Sequence, residues 1–191
     1  MADEKVKSIE VGQGSARRTI AVRQRAGNSP GLIWLGGFKS DMKGTKAVAL
    51  DQWASEHSRA CVRFDYSGHG ESGGDFADGN IGRWLEESCA VFENFCEGPF
   101  VAIGSSMGGW ISLLLARALR EKAARSKAQL TGLVLIAPHF IVEDVSVASI
   151  AAIRTAYETT NLKQKLARWH NDVDNAFHGW NDAWLDPKFR N

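Results

Sequence analysis

The sequence is short of the features that assign a class by themselves. Its three cysteines in 191 residues are an odd number without a C-x-x-C spacing, which excludes a disulfide framework and a cysteine-bound zinc site. No H-E-x-x-H pair offers a metal site, and neither a metal nor a cofactor is expected. No apolar run approaches the ~18 residues of a membrane-spanning helix. The opening Met-Ala-Asp-Glu-Lys-Val-Lys is charged where a secretory signal would be apolar. A soluble, cytoplasmic protein without a membrane partner is the expectation. Neither sign of charge is in surplus, since 23 Lys and Arg stand against 22 Asp and Glu. Such a chain has no field to gather nucleic acid, so the expected partner is a small molecule. The one basic run, Arg117, Arg120, Lys122, Arg125 and Lys127, falls where a helix should end, and there cations complement the negative pole of its dipole.

What is present is the composition of one compact domain, 44% hydrophobic and 24% charged. Strand-like and helix-like segments alternate along it. Val6 to Val11 and Arg18 to Gln24 form a hairpin around Gly12 to Gly14. Gly31 to Leu35, Ala60 to Asp65, Phe100 to Gly104 and Gly132 to Ala137 read as buried strands. Between them the helical period appears over Thr45 to His57, with Ala47, Leu50, Trp53 and Ala54 on one face. It returns beyond Asp78 or Asn80, either of which can cap the helix carrying Trp84, Val91 and Phe92, and again from Ser106 to about Glu121. Cys61, Cys89 and Cys96 fall in these strands and helices as small core residues. The expected class is α/β, a mostly parallel sheet with helices on both faces, over residues 1–138. A helical, cap-like segment of the same domain covers 139–191.

Gly104-Ser105-Ser106-Met107-Gly108 fits G-x-S-x-G between a strand and a helix, the context this motif requires. The glycines leave room for a sharp turn that presents the serine oxygen at the carboxyl end of the sheet, beside a helix N-terminus that favours negative charge. Ser106 is therefore the candidate nucleophile. Acyl transfer also needs two backbone N–H donors for the oxyanion. Met107 supplies one, and Phe38, after Gly36-Gly37 at the end of a strand, supplies the other. A rival motif, Gly68-His69-Gly70-Glu71-Ser72-Gly73, matches G-x-G-x-x-G. It does not open directly into a helix, and the intervening Asp75 and Asp78 would repel a phosphate, so no dinucleotide is expected.

Three stretches, 36 to 46, 64 to 74 and 104 to 110, stand in the order Gly-Gly-Phe-Lys-Ser-Asp-Met-Lys-Gly-Thr-Lys, Phe-Asp-Tyr-Ser-Gly-His-Gly-Glu-Ser-Gly-Gly and Gly-Ser-Ser-Met-Gly-Gly-Trp. Together they resemble the α/β-hydrolase superfamily, and within it the branch that includes mitochondrial acyl-protein thioesterases and their bacterial relatives. Across Gly31 to Pro138 the resemblance implies Ser106 as nucleophile, Phe38 and Met107 as oxyanion donors, and His69 as a residue of a structural turn rather than the base. It implies a serine hydrolase that cleaves an ester or thioester of a small acyl substrate through an acyl-serine.

Beyond Pro138 the pattern departs from that family. The triad order Ser, acid, His calls for later strand loops, whereas only helical period follows, through Ile150, Ile153, Leu162, Leu166, Val173 and Phe177. This segment resembles the cap of another α/β-hydrolase branch, and the final strands of the fold are expected to be missing. His139, His170 and His178 then read as surface or core residues, and Trp169, Trp180 and Trp184 as cap packing. Two expectations follow. One is a sheet edge at Leu133 to Ala137 open to self-association. The other is an alternative function, a catalytically incomplete fragment that only binds acyl ligands.

Overall fold

The computed structural model describes residues 5–121, 127–138, 143–168 and 172–187. They fall into two compact units, Met1–Phe140 and Ile141–Asn191.

The first unit is built on six strands: β1 (Lys7–Val11), β2 (Arg18–Arg25), β3 (Asn28–Leu35), β4 (Arg59–Phe64), β5 (Gly98–Ser105) and β6 (Ala128–Ile136). Their order across the sheet is β1-β2-β4-β3-β5-β6. The hairpin β1–β2 and the β2–β4 pair are antiparallel; β4–β3, β3–β5 and β5–β6 are parallel. Helices α1 (Thr45–Glu56), α2 (Ile81–Phe95) and α3 (Met107–Glu121) make the connections. Parallel neighbours require such crossovers, and the crossovers cover both faces. Strand alternation divides the core accordingly. Ile33, Leu35, Val62 and Ala102 join the large cluster that includes Phe92 of α2 and Ile111 and Leu115 of α3. Leu32 and Cys61, one residue out of phase, pack with Ala54 of α1 on the other face. All three cysteines are buried, and none forms a disulfide.

Two strands begin earlier than their composition indicates. β3 starts at Asn28, ahead of Pro30, and reaches β4 through a register shift between Asn28 and Leu32. That irregularity accommodates a residue that cannot donate to the ladder. β6 starts at Ala128, because Gln129 and Thr131 alternate with Leu130 at its partly solvated beginning. Asn80, rather than Asp78, caps α2 by accepting from the Arg83 N–H at 3.0 Å. In α1 the buried residues are Ala47, Asp51 and Ala54, while Trp53 turns outward and stacks on His57. Asp51 takes the inward place because two cations meet it there, Arg25 at 2.7 Å and Arg63 at 3.0 Å. The helix α3 is buried at Met107, Gly108, Gly109, Ile111, Ser112 and Leu115, and Trp110, Leu113 and Leu114 are only partly covered.

The second unit consists of α4 (Asp144–Thr159), α5 (Leu162–Leu166) and α6 (Val173–Leu185). Its small core is Tyr157, Val173 and Phe177, with Trp180 packed against it and the Tyr157 and Phe177 rings stacked at 3.8 Å. Asp172 caps α6 on the Asn175 N–H. Asn181 is fully buried, accepting from Arg154 and donating to the Ile150 carbonyl.

Candidate active site

Ser106 is the single residue between β5 and α3, and its φ of 55° lies in the left-handed region. For a non-glycine residue this costs energy and persists only where the surroundings fix it. They do so on three sides. The Ser106 N–H donates to the Ile136 carbonyl of β6 at 2.9 Å, and its carbonyl accepts from the Gly109 N–H at 3.0 Å. The glycines of the motif are required by contact. A Cβ on Gly104 would meet the Gly108 carbonyl oxygen at 2.3 Å, and one on Gly108 would meet the Leu35 carbonyl oxygen at 2.1 Å. The turn is thus clasped between the ends of β3 and β6.

Gly37 and Phe38 follow β3 and face this turn. A Cβ on Gly37 would stand 3.4 Å from the Ser106 Cβ and 3.9 Å from its Oγ. Phe38 and Ser106 line one cavity of about 330 Å³. Met107 is buried as the first residue of α3, where backbone N–H groups have no acceptor within the helix. The three residues singled out from the sequence are therefore gathered around the end of β5.

The loop carrying Phe38 is tied to the loop after β4. Lys39, with φ of 53°, donates its N–H to His69 Nε2 at 3.2 Å, and His69 Nδ1 lies 3.1 Å from the Ser67 carbonyl. A carbonyl only accepts and an N–H only donates, so His69 is neutral with its proton on Nδ1. Burial holds its pKa below the ordinary histidine value. Both ring nitrogens are committed, which removes His69 as a base for Ser106. Asp65 accepts from the Met42 N–H at 2.6 Å and from the Glu71 N–H at 2.8 Å, and so bridges the same two loops. Burial raises its pKa even though these backbone bonds oppose the shift. Glu87 of α2 completes the scaffold: it accepts from the Ser67 N–H and Oγ–H and pairs with the buried Arg18.

The G-x-G-x-x-G stretch is consequently not a phosphate cradle. A Cβ on Gly70 would lie 2.1 Å from Asp65 Oδ2. The hollow that such a loop would offer an anion is filled by the chain's own carboxylate.

Three neighbours of the site were not visible in the sequence. Lys46 of α1 donates to Ser105 Oγ at 3.2 Å. Trp34 and Ser40 line the same cavity. Fifty-nine residues separate Lys46 from Ser105, and no periodicity reports such a contact. Of the histidines after Ser106, His178 is an exposed residue of α6 with Nδ1 3.5 Å from Asp182. His139 and His170, like Trp169, lie outside the described residues.

Residues 29–190 match the alpha/beta hydrolase family. The human mitochondrial palmitoyl-protein thioesterase ABHD10 is 39% identical over 103 residues, which are 54% of this chain and 34% of that protein. The chain thus spans about a third of the length of the curated relatives it matches. Among solved structures, a putative hydrolase from Agrobacterium vitis S4 superposes with a TM-score of 0.65 at 45% identity, covering 77% of this chain and 60% of the other. Mouse alpha/beta hydrolase domain-containing protein 10 superposes with a TM-score of 0.60 at 31% identity, covering 80% and 57%. These relatives correct one expectation. The curated thioesterases are mitochondrial, so the cytoplasmic location inferred from the sequence does not stand. The inference failed because an apolar stretch marks only secretory signals; mitochondrial transit peptides are amphipathic and Arg-rich.

Proposed function

The chain belongs to the alpha/beta hydrolase family, and on that footing we propose that it cleaves a carboxylic ester or thioester through an acyl-serine formed on Ser106. The observation that carries this reading is the left-handed Ser106 at the end of β5, lining one cavity with Phe38. In the first step the Ser106 oxygen bonds to the scissile carbonyl carbon as its proton passes to a base. The N–H groups of Met107 and Phe38 receive the negative oxygen; the alcohol or thiol then departs with a proton, and water releases the acid by the same route in reverse. A histidine is the base such a mechanism uses. Relatives named palmitoyl-protein thioesterases favour a thioester, and an acyl group as the part retained on the serine.

The test is turnover of a p-nitrophenyl acyl ester, together with labelling by a fluorophosphonate. The expected result is burst release of p-nitrophenol and a covalent adduct on Ser106 by mass spectrometry, both lost in Ser106→Ala. Saturable acyl-ligand binding with neither turnover nor adduct would instead support a catalytically incomplete hydrolase fold.

A further inference from the structure

We infer that His69 is a positioning residue for the reaction at Ser106: in its neutral form it accepts from the Lys39 N–H and so holds the turn that carries Phe38, one of the two oxyanion donors. The Ser40 N–H donates to the Gly37 carbonyl at 3.1 Å, which closes a four-residue turn with Phe38 and Lys39 at its centre. Lys39 has a positive φ of 53° and Phe38 does not. This is the type II pattern, whose third position favours glycine. A lysine there is strained. Rotating the Phe38–Lys39 peptide would relax the turn to type I and return the φ of Lys39 to negative values. The N–H of that same peptide is the one that His69 Nε2 receives at 3.2 Å, so the bond opposes the rotation directly. Phe38 is held from its carboxyl side by a residue thirty positions from Lys39 in the chain.

The surroundings of the ring make it a rigid prop. His69 is buried, and its Nδ1 lies 3.1 Å from the Ser67 carbonyl. Its ring packs edge-on against Phe76 at 5.1 Å and against Trp84 at 5.3 Å. Phe76 in turn meets Phe38 edge-on at 5.1 Å, a second tie between the two loops. The charges that face the ring are Glu87 of α2 and Asp41 and Lys39 of the loop after β3. Tyr66, 5.8 Å away, is kept neutral by its burial. Protonating Nε2 would replace the acceptor by a donor aimed at the Lys39 N–H. The bond would then be lost and the strained turn released. Burial above all holds the His69 pKa below the ordinary histidine value, so the prop is in place at neutral pH and is withdrawn on acidification.

The inference deepens the proposed function and rests on Ser106 as nucleophile and Phe38 as oxyanion donor. It is tested by p-nitrophenyl acetate turnover in the wild type, His69→Gln and His69→Asn across about pH 5 to 8. The glutamine amide oxygen reaches the place of Nε2 and accepts at every pH, whereas asparagine, one bond shorter, reaches only the Ser67 side. At the alkaline end kcat of His69→Asn should lie at least tenfold below that of His69→Gln, with KM nearly equal, because an oxyanion contact is made in the transition state. On the acid side kcat/KM of the wild type should fall more steeply than that of His69→Gln, in which only the catalytic base still titrates. Equal kcat in the two variants, or acid limbs that coincide, overturns the inference. A measurement on the wild type needs no turnover. In the chain labelled with ¹⁵N-lysine, the Lys39 amide proton, identified by its loss in Lys39→Arg, should move upfield as the His69 ring titrates. An amide that stays in place while the ring titrates overturns the inference too. If the wild type turns over no ester at any pH, the Ser106 reading fails and takes the role in the reaction with it, while the Lys39 shift still decides whether His69 holds the turn.

Discussion

Two glycine-rich loops stand at the carboxyl ends of neighbouring strands, and they do opposite work. The loop after β3, with Gly36 and Gly37, keeps its concave side open, so that Ser106 and a cavity lie within it. The loop after β4, with Gly68, Gly70 and Gly73, closes on Asp65, and its His69 and Asp65 accept hydrogen bonds from the Lys39 and Met42 N–H groups of the first loop. One loop holds the site and the other holds the first loop. The lesson is that a glycine pattern does not name a ligand. What occupies the space the missing Cβ atoms leave decides the function: in one loop a cavity, in the other a carboxylate from the same chain.

The comparison can be broken by substitutions that mix the two roles. The largest effect is expected at Ser106. Ser106→Ala should lower ester turnover by up to about 10⁶-fold with the unfolding midpoint nearly unchanged; a large stability loss would mean the residue belongs to the scaffold. Next is Glu87, the anchor of the second loop. Glu87→Ala leaves the buried guanidinium of Arg18 without its buried partner, although Glu86 still meets it from the surface. Breaking such a pair costs about 3–5 kcal/mol, to be read from urea denaturation.

The glycines supply a matched pair. Gly70→Ala places a methyl against Asp65 at a φ of 47° and should cost about 1–3 kcal/mol from backbone strain alone. Gly37→Ala meets Ser105 O at 3.2 Å and Ser106 Cβ at 3.4 Å without a positive φ. It should cost little stability but reduce turnover measurably, by less than the ~10²-fold of a 1 Å misplacement, since the Ser105–Ser106 turn need give by only a few tenths of an ångström. Equal effects of the two on both readouts would dissolve the distinction between the loops.

The smallest effect is a pH dependence. Burial, helped by the charge of Lys39, holds the pKa of His69 down, against the opposing pull of Ser67, Glu87 and Asp41. The unfolded chain therefore binds this proton at higher pH than the folded one. The contribution to stability is complete above the unfolded value of about 6.5 and is lost as pH falls toward the lower folded value. Urea midpoints taken across that range should fall with pH, and less steeply in His69→Gln. An unchanged slope would show that His69 titrates alike in both states.

The same distinction explains how much could be read from the chain. G-x-S-x-G was legible because contacts of 2.1 to 2.3 Å allow only glycine at Gly104 and Gly108, so the geometry writes itself into residue type. The strands and crossovers were legible because each face of the sheet is buried by alternation or by continuous apolar runs. The inward face of α1 was not. Helical period groups Trp53 with Ala54, whereas the structure buries Asp51 to meet Arg25 and Arg63 from β2 and β4. Long-range ion pairs leave no period in either partner. The same holds for Lys46 beside Ser105, and for His69, whose glycine-rich setting marked a turn but not its grip on Lys39.

The bond from the Ser106 N–H to the Ile136 carbonyl makes the reactive residue a participant in the sheet. Its peptide unit takes its place when β5 and β6 pair, so the conformational entropy of fixing it is lost during folding rather than at the encounter with substrate. A nucleophile on a free loop would have to be ordered anew in every catalytic cycle, and part of the binding energy would go to that task. Here the cost is met once in the life of each molecule, and binding energy remains available for positioning the acyl group.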